Sequence, residues 1–223
     1  MSTVFQEKPP EIYYPESDGQ PMAETDIHRD LMNDSIKSLQ FHFENEENVY
    51  VTGNIMFYTH EGNPTKVTSP DLIVVRGVKK GDRRVFKLWE EKPPTVVIEF
   101  SSRKTWKEDL QKKWKLYQDI GVSEYYIFDP EYDYLEEPLL AYKLINGELV
   151  EVEVKDRKVY SEALELEVVD TGVTLRFFNP KTGEFLPTPL EEHRARLYEQ
   201  EARERAEEEL ARLRSELEQM KNK

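Results

Sequence analysis

Pro93 to Pro130 reads PPTVVIEFSSRKTWKEDLQKKWKLYQDIGVSEYYIFDP, and its periodicity changes twice along the run. Val96, Ile98 and Phe100 alternate with Val97, Glu99 and Ser101, the two-residue repeat of a strand, so Glu99 and Ser101 share one face of a buried segment. From Thr105 the repeat lengthens to that of a helix, with Thr105 as N-cap, Glu108 as its capping-box partner and Gly121 as the stop. Glu124 to Phe128 returns to strand and ends at Asp129-Pro130. A helix between two strands of one sheet makes a right-handed crossover, which predicts an α/β (α+β) domain with a mixed sheet and helices packed on it.

At about 100° per residue, Trp106, Leu110, Tyr117 and Ile120 fall on one stripe of this helix, and Lys113 lies in the middle of it. An inward lysine needs an anionic partner, because an unpaired buried charge costs several kcal/mol. Glu99, on the strand that feeds the helix, is the candidate. The blander alternative is a lysine that snorkels to solvent or pairs with Asp109 one turn earlier.

Upstream, Tyr50 to Tyr58 predicts a strand broken at Thr52-Gly53-Asn54. After the turn-rich EGNPTK, Asp71, Ile73 and Val75 alternate with Leu72 and Val74, so a second strand begins with an acid. If the strands carrying Asp71 and Glu99 pair, two carboxylates lie side by side. Glu24 to about Glu44 reads as a core-facing helix through Leu31, Met32, Ile36, Leu39 and Phe43, with Glu24 and His28 toward its start. A histidine on such a face is more often a hydrogen-bonded core residue than a ligand.

The chain has 223 residues, net charge −14 and no cysteine, which excludes disulfides, thiolate zinc and cysteine nucleophiles. The acidic balance excludes broad attraction to a polyanion. Basic residues cluster locally, however. Between Arg76 and Lys92 seven of them, including Lys79, Lys80, Arg83 and Arg84, face three acids, and between Arg103 and Lys115 six, including Lys104, face two. Both clusters flank the Glu99 strand and suit a phosphate-bearing partner; the alternative is a pair of solvated surfaces. No apolar run is long enough to span a membrane and MSTVFQEKPPEIYY has no signal-peptide core, so a soluble cytoplasmic protein is expected.

Residues 1–22 read as an irregular arm, 23–189 as the globular domain and 190–223 as a helical tail. Leu139 to Phe178 carries short alternating segments that predict an antiparallel extension of the sheet. In the tail, Ala206, Leu210, Leu213, Leu217 and Met220 follow alternating four- and three-residue steps, the seam of a coiled coil, and a homodimer is expected; the alternative is a single surface helix.

Pro70-Asp71, Glu99 and an inward lysine are a donor set for a hard cation at a phosphodiester. Magnesium favours oxygen ligands and keeps waters that can attack phosphorus. The chain resembles the PD-(D/E)XK nuclease superfamily and, within it, the Uma2 family of restriction-endonuclease-like proteins. The resemblance runs through Ser69-Pro70-Asp71, Val97 to Ser102, Thr105, Asp109, Lys113, Tyr117, Gly121-Val122, Glu124 to Tyr126, Asp129-Pro130, His28, Leu175 to Phe178 and Thr182 to Glu184. It implies a restriction-endonuclease-like fold, and Mg2+ or Mn2+ held by Asp71, Glu99 and the Phe100 main-chain carbonyl. It also implies hydrolysis of DNA assisted by Lys113, with Glu24, His28, Ser101 and Asp109 in support. Ser101 stands where the superfamily's E-x-K lysine would be; in the resembling family a serine stands there too, with the lysine supplied from the next helix. Two rivals to an endonuclease are a catalytically silent module that binds nucleic acid or protein, and an assembly protein whose purpose is its tail.

Overall fold

The computed structural model describes residues 12–17, 19 and 25–221. Glu24 and most of the expected 1–22 arm lie outside the described residues. The chain divides into two compact units, Met1–Leu186 and Pro187–Lys223.

In the first unit, α1 (Asp26–His42) starts where the Thr25 hydroxyl accepts from the His28 N–H, and it buries Leu31, Met32 and Leu39. Thirteen short strands follow among the described residues: β1 (Val49–Thr52), β2 (Phe57–Tyr58), β3 (Val67–Thr68), β4 (Leu72–Arg76), β5 (Phe86–Lys87), β6 (Val96–Phe100), β7 (Glu124–Phe128), β8 (Leu139–Ile145), β9 (Glu148–Val152), β10 (Lys158–Ser161), β11 (Leu166–Asp170), β12 (Leu175–Asn179) and β13 (Glu184–Phe185). The main sheet has the order β1-β4-β6-β7-β8-β9, parallel only between β6 and β7. The fold class is therefore mixed α+β, as expected.

β6 and β7 are buried along their whole lengths, as strands covered on both faces must be. One face of β6 (Val96, Ile98, Phe100) packs with Leu31, Met32 and Leu39 of α1 and with Leu166, Val168 and Phe177. The other face, through Val97, packs with Tyr117, Val122, Tyr125 and Ile127. Glu99 and Ser101 belong to this second face.

Two expectations need correction. The 139–178 segment is not one extension: β8 and β9 continue the main sheet, but β10 to β13 form a separate antiparallel sheet. Alternation locates strands without saying which sheet they join. Nor is the crossover helix regular. It runs as α2 (Trp106–Glu108), a π-helical turn over Asp109–Lys113, and α3 (Trp114–Ile120), closed by Gly121 in the left-handed region at φ 82°. Thr105 does not cap it through its side chain; its hydroxyl instead accepts from the Ser102 N–H at 3.0 Å and closes the turn leaving β6.

The second unit is the helix α4 (Pro189–Lys221). Its start is a reciprocal capping box: the Thr188 N–H donates to Glu191 Oε2 (2.8 Å), the Glu191 N–H donates to Thr188 Oγ1 (3.3 Å), and proline occupies the first helical position.

Candidate active site

Antiparallel pairing of Leu72 with Ile98 carries Asp71 to the level of Glu99. The Asp71 N–H donates to Glu99 Oε2 (3.3 Å), and the Phe100 N–H donates to Asp71 Oδ2 (2.8 Å). A glycine makes this approach possible: a Cβ on Gly53 would stand 1.8 Å from the Asp71 carbonyl oxygen. Next to it the Asn54 N–H donates to the Pro70 carbonyl (2.8 Å), so the break in the β1–β2 segment clamps the Pro70-Asp71 corner. From α1, His28 Nε2 reaches within 3.5 Å of Asp71 Oδ1, and its ring meets Phe100 edge-on.

The crossover helix supplies the rest. Lys113 Nζ lies 2.9 Å from Glu99 Oε2 and 3.1 Å from Asp109 Oδ1, with only 14% of its side chain exposed. The Ser101 hydroxyl donates to Asp109 Oδ2 (3.0 Å). Asp71, Glu99, Ser101, Asp109 and Lys113 therefore form one cluster. Lys113 holds Glu99 and Asp109 at once, so the two pairing expectations were not alternatives.

Tyr117, which the helical stripe assigns to the core, also belongs here: its O–H donates to Glu99 Oε1 (2.5 Å). The signal was its four-residue spacing from Lys113, which puts both on one face. A second tyrosine, Tyr125, donates to the Asp109 carbonyl (3.0 Å) in the π turn.

Three carboxylates against one ammonium leave an excess of two negative charges if all ionise, in a site where Glu99 is fully buried and Asp109 is 1% exposed. Burial raises the Glu99 pKa to about 8, further than Lys113 lowers it. Asp109 is raised by burial in the same way. Burial would raise Asp71 too, but His28, Lys113 and the Phe100 N–H outweigh it and hold Asp71 below the ordinary aspartate value. Burial alone would lower Lys113, yet Glu99, Asp109 and Asp71 raise it above an ordinary lysine, so it stays an ammonium.

The residues fit a divalent cation by charge and by donor type, since two positive charges would balance the excess and carboxylates are hard oxygen donors. Among the described residues no set of three or more His, Cys, Asp or Glu side chains is placed to hold a metal ion. A cation here would therefore take main-chain carbonyl and solvent oxygens beside Asp71 and Glu99.

A family model described as "Putative restriction endonuclease" (Uma2) matches residues 5–175. The chain belongs to the Uma2 family. A solved structure described as a "putative nuclease belonging to DUF820", from Anabaena variabilis ATCC 29413, is similar at 14% identity and a TM-score of 0.47, covering 67% of this chain and 81% of that one. No curated protein matches. No helix among the described residues is long and apolar enough to cross a membrane.

Of the six expected nucleic-acid contacts of this Uma2 chain, three have partners within the chain. Lys80 Nζ donates to the carbonyls of Phe43 (2.5 Å) and Glu44 (2.7 Å) and so caps the end of α1. Arg83 pairs with Glu91 (2.7 Å) and lies over the Tyr50 ring, and Arg84 pairs with Glu16 (2.7 Å). Lys79 is exposed, as are Arg103 and Lys104 on the turn that follows Ser102. The partners of Lys80 and Arg84 lie in distant segments and cannot be read from a run of charge.

Proposed function

We propose that this chain is a metal-dependent endonuclease that hydrolyses DNA phosphodiester bonds, with Asp71, Glu99 and the Phe100 carbonyl as ligands of Mg2+ or Mn2+ and Lys113 as the catalytic lysine. The observation that carries this reading is Lys113 Nζ at 2.9 Å from Glu99 Oε2, delivered by a π turn from the helix after the strand where Ser101 replaces the expected lysine. Single-turn π bulges are frequent at functional sites.

When bound, the metal supplies Lewis acidity and a hydroxide nucleophile at neutral pH. The chain's own groups do the rest. Tyr117 and the Asp71 N–H fix the two oxygens of Glu99, and the Phe100 N–H fixes Asp71. Because Lys113 stays protonated and two of its three N–H groups are held by Glu99 and Asp109, it acts through the third as a hydrogen-bond donor to the attacking water, not as a base. Asp109, itself held by Ser101, orients that ammonium. Exposed Lys79, Arg103 and Lys104 supply the contacts to the phosphate backbone.

The test is Mn2+ or Ca2+ calorimetry together with plasmid nicking. Asp71→Ala and Glu99→Ala should each lose both metal binding and cleavage. Metal binding with no cleavage of any DNA or RNA would favour the second reading, a silent nuclease-fold module that binds nucleic acid or protein. One observation supports that alternative: Lys113 is held by two carboxylates, as in a structural ion pair.

A further inference from the structure

The second unit has an exposed apolar row. Leu210, Leu213, Leu217 and Met220 are 49%, 52%, 54% and 77% exposed; Leu190, Leu197 and Tyr198 of the same helix are exposed too but fall outside this spacing. The row does not extend upstream. Continuing its spacing toward the N-terminus puts Arg203 and Glu199 on the seam. There the helix is supported from within by four-residue ion pairs, Glu192–Arg196, Glu201–Arg205 and Arg203–Glu207. So α4 has a self-sufficient charged half and a half that ends in leucines.

We propose that residues 206–221 of α4 pair, parallel and in register, with the same segment of a second copy of this chain. With Leu210 and Leu217 at a positions, Ala206, Leu213 and Met220 occupy d, Glu209 and Glu216 occupy g, and Arg214 and Lys221 occupy e. In a parallel pair each g side chain faces the e side chain five residues further along the other helix. Glu209 then meets the second copy's Arg214, and Glu216 meets its Lys221; the symmetry doubles both. In an antiparallel pair g faces g, which sets the glutamates at 209 and 216 against one another. Charge therefore selects the second copy as occupant and the parallel orientation. Glu216 now leans toward Arg212 at 3.6 Å, a long pair on a solvated surface that is easily exchanged for Lys221.

The seam is short, about 24 Å at 1.5 Å per residue, so the dimer is concentration-dependent. In a parallel pair both Pro189 residues lie at the same end of the coil. The inference stands on the tail and does not depend on the nuclease reading.

The chain has no cysteine, so single cysteines report orientation directly. Full-length Met220→Cys and Glu218→Cys are compared by sedimentation and by disulfide formation under mild oxidation. Met220→Cys, at d, should form a covalent dimer, and Glu218→Cys, outside the seam, about tenfold less, since a disulfide needs Cα atoms within about 7 Å. Leu213→Asp with Leu217→Asp should be monomeric, with an unchanged circular dichroism contribution from the first unit. A wild-type chain that is monomeric at every concentration overturns the proposal. So does a trimer, or a dimer in which Met220→Cys fails to cross-link. Loss of cleavage without loss of the cross-link would count against the nuclease reading alone.

Discussion

Glu99 and Glu124 are buried glutamates on neighbouring strands of one sheet, β6 and β7, and the fold treats their charges in opposite ways. Around Glu124 every partner is a neutral donor. Its Oε2 accepts from the Tyr126 hydroxyl (2.8 Å) and from Ser161, and its Oε1 accepts from the N–H groups of Glu162 (2.9 Å) and Ala163 (3.2 Å). Four donors fill the lone-pair positions of one carboxylate, which fastens β7 to the turn that follows β10. Glu99 has an ammonium, a phenol and a backbone N–H, but it shares the ammonium with Asp109 and lies beside the carboxylate of Asp71. A buried acid with all its lone pairs filled is a structural tie. One left in a cluster with excess negative charge is prepared for a cation.

The largest expected difference between the two glutamates is in catalysis. Lys113→Ala, which removes the ammonium beside Glu99, should lower plasmid cleavage by about 10²- to 10⁴-fold while metal still binds in calorimetry. Glu124→Gln should leave the rate per folded molecule unchanged. If both variants cleave like wild type while Glu99→Ala does not, Lys113 is a structural partner of Asp109.

Stability should separate them next, and with opposite sign. Glu124→Ala abandons two backbone N–H groups and two hydroxyls and should cost about 3 kcal/mol in denaturant unfolding. Glu99→Gln, measured without metal above pH 8, removes a repelling charge and should gain about 1 kcal/mol. A loss at Glu99→Gln as large as at Glu124→Ala would erase the distinction.

The pH dependence is smaller but sharper. The folded-state pKa of Glu99 is raised, so the native metal-free protein binds more protons than the unfolded chain between the ordinary glutamate value and about 8. Its contribution to stability is therefore complete below that window and lost as pH rises through it; Asp109, also raised, acts in the same direction. Metal must displace that proton, so Mn2+ affinity should rise by about tenfold per pH unit below pH 8 and then level off. A flat affinity would mean that Glu99 is already ionised without metal.

Smallest of all should be Lys112→Ala and Lys115→Ala. Their pairs with Glu108 and Asp119 are exposed, and each change should stay within about 0.5 kcal/mol. A catalytic loss at either would move the functional lysine off Lys113.

Much of the cluster was legible in the sequence because it rests on local periods. Alternation in Val96 to Ser101 turned Glu99 and Ser101 to one face, and the helical repeat turned Lys113 toward them. The Ser101–Asp109 hydrogen bond and the role of Tyr117 were harder, since a π turn alters the helical register from within and a buried tyrosine looks like core until its hydroxyl finds a partner. The partners of the basic loop were harder to read. Lys80 and Arg84 find their partners in distant segments, at the Phe43 and Glu44 carbonyls and at Glu16, while Arg83 pairs with Glu91 inside the same run.

By itself the sequence determined the alternation of strand, helix and strand, the acid at the head of one strand and within the next, the inward lysine, the absence of thiol chemistry and the leucine row of the tail. All of these follow from repeats within a few turns or pleats, where geometry is set by covalent structure. Only the tertiary structure decided which sheet each short strand joins, that Gly53 must lack a Cβ, that one lysine serves two carboxylates, and that Glu124 is a tie where Glu99 is not. Those depend on which distant groups share a desolvated volume, and the energy of a buried charge is set by that company and not by its neighbours in sequence.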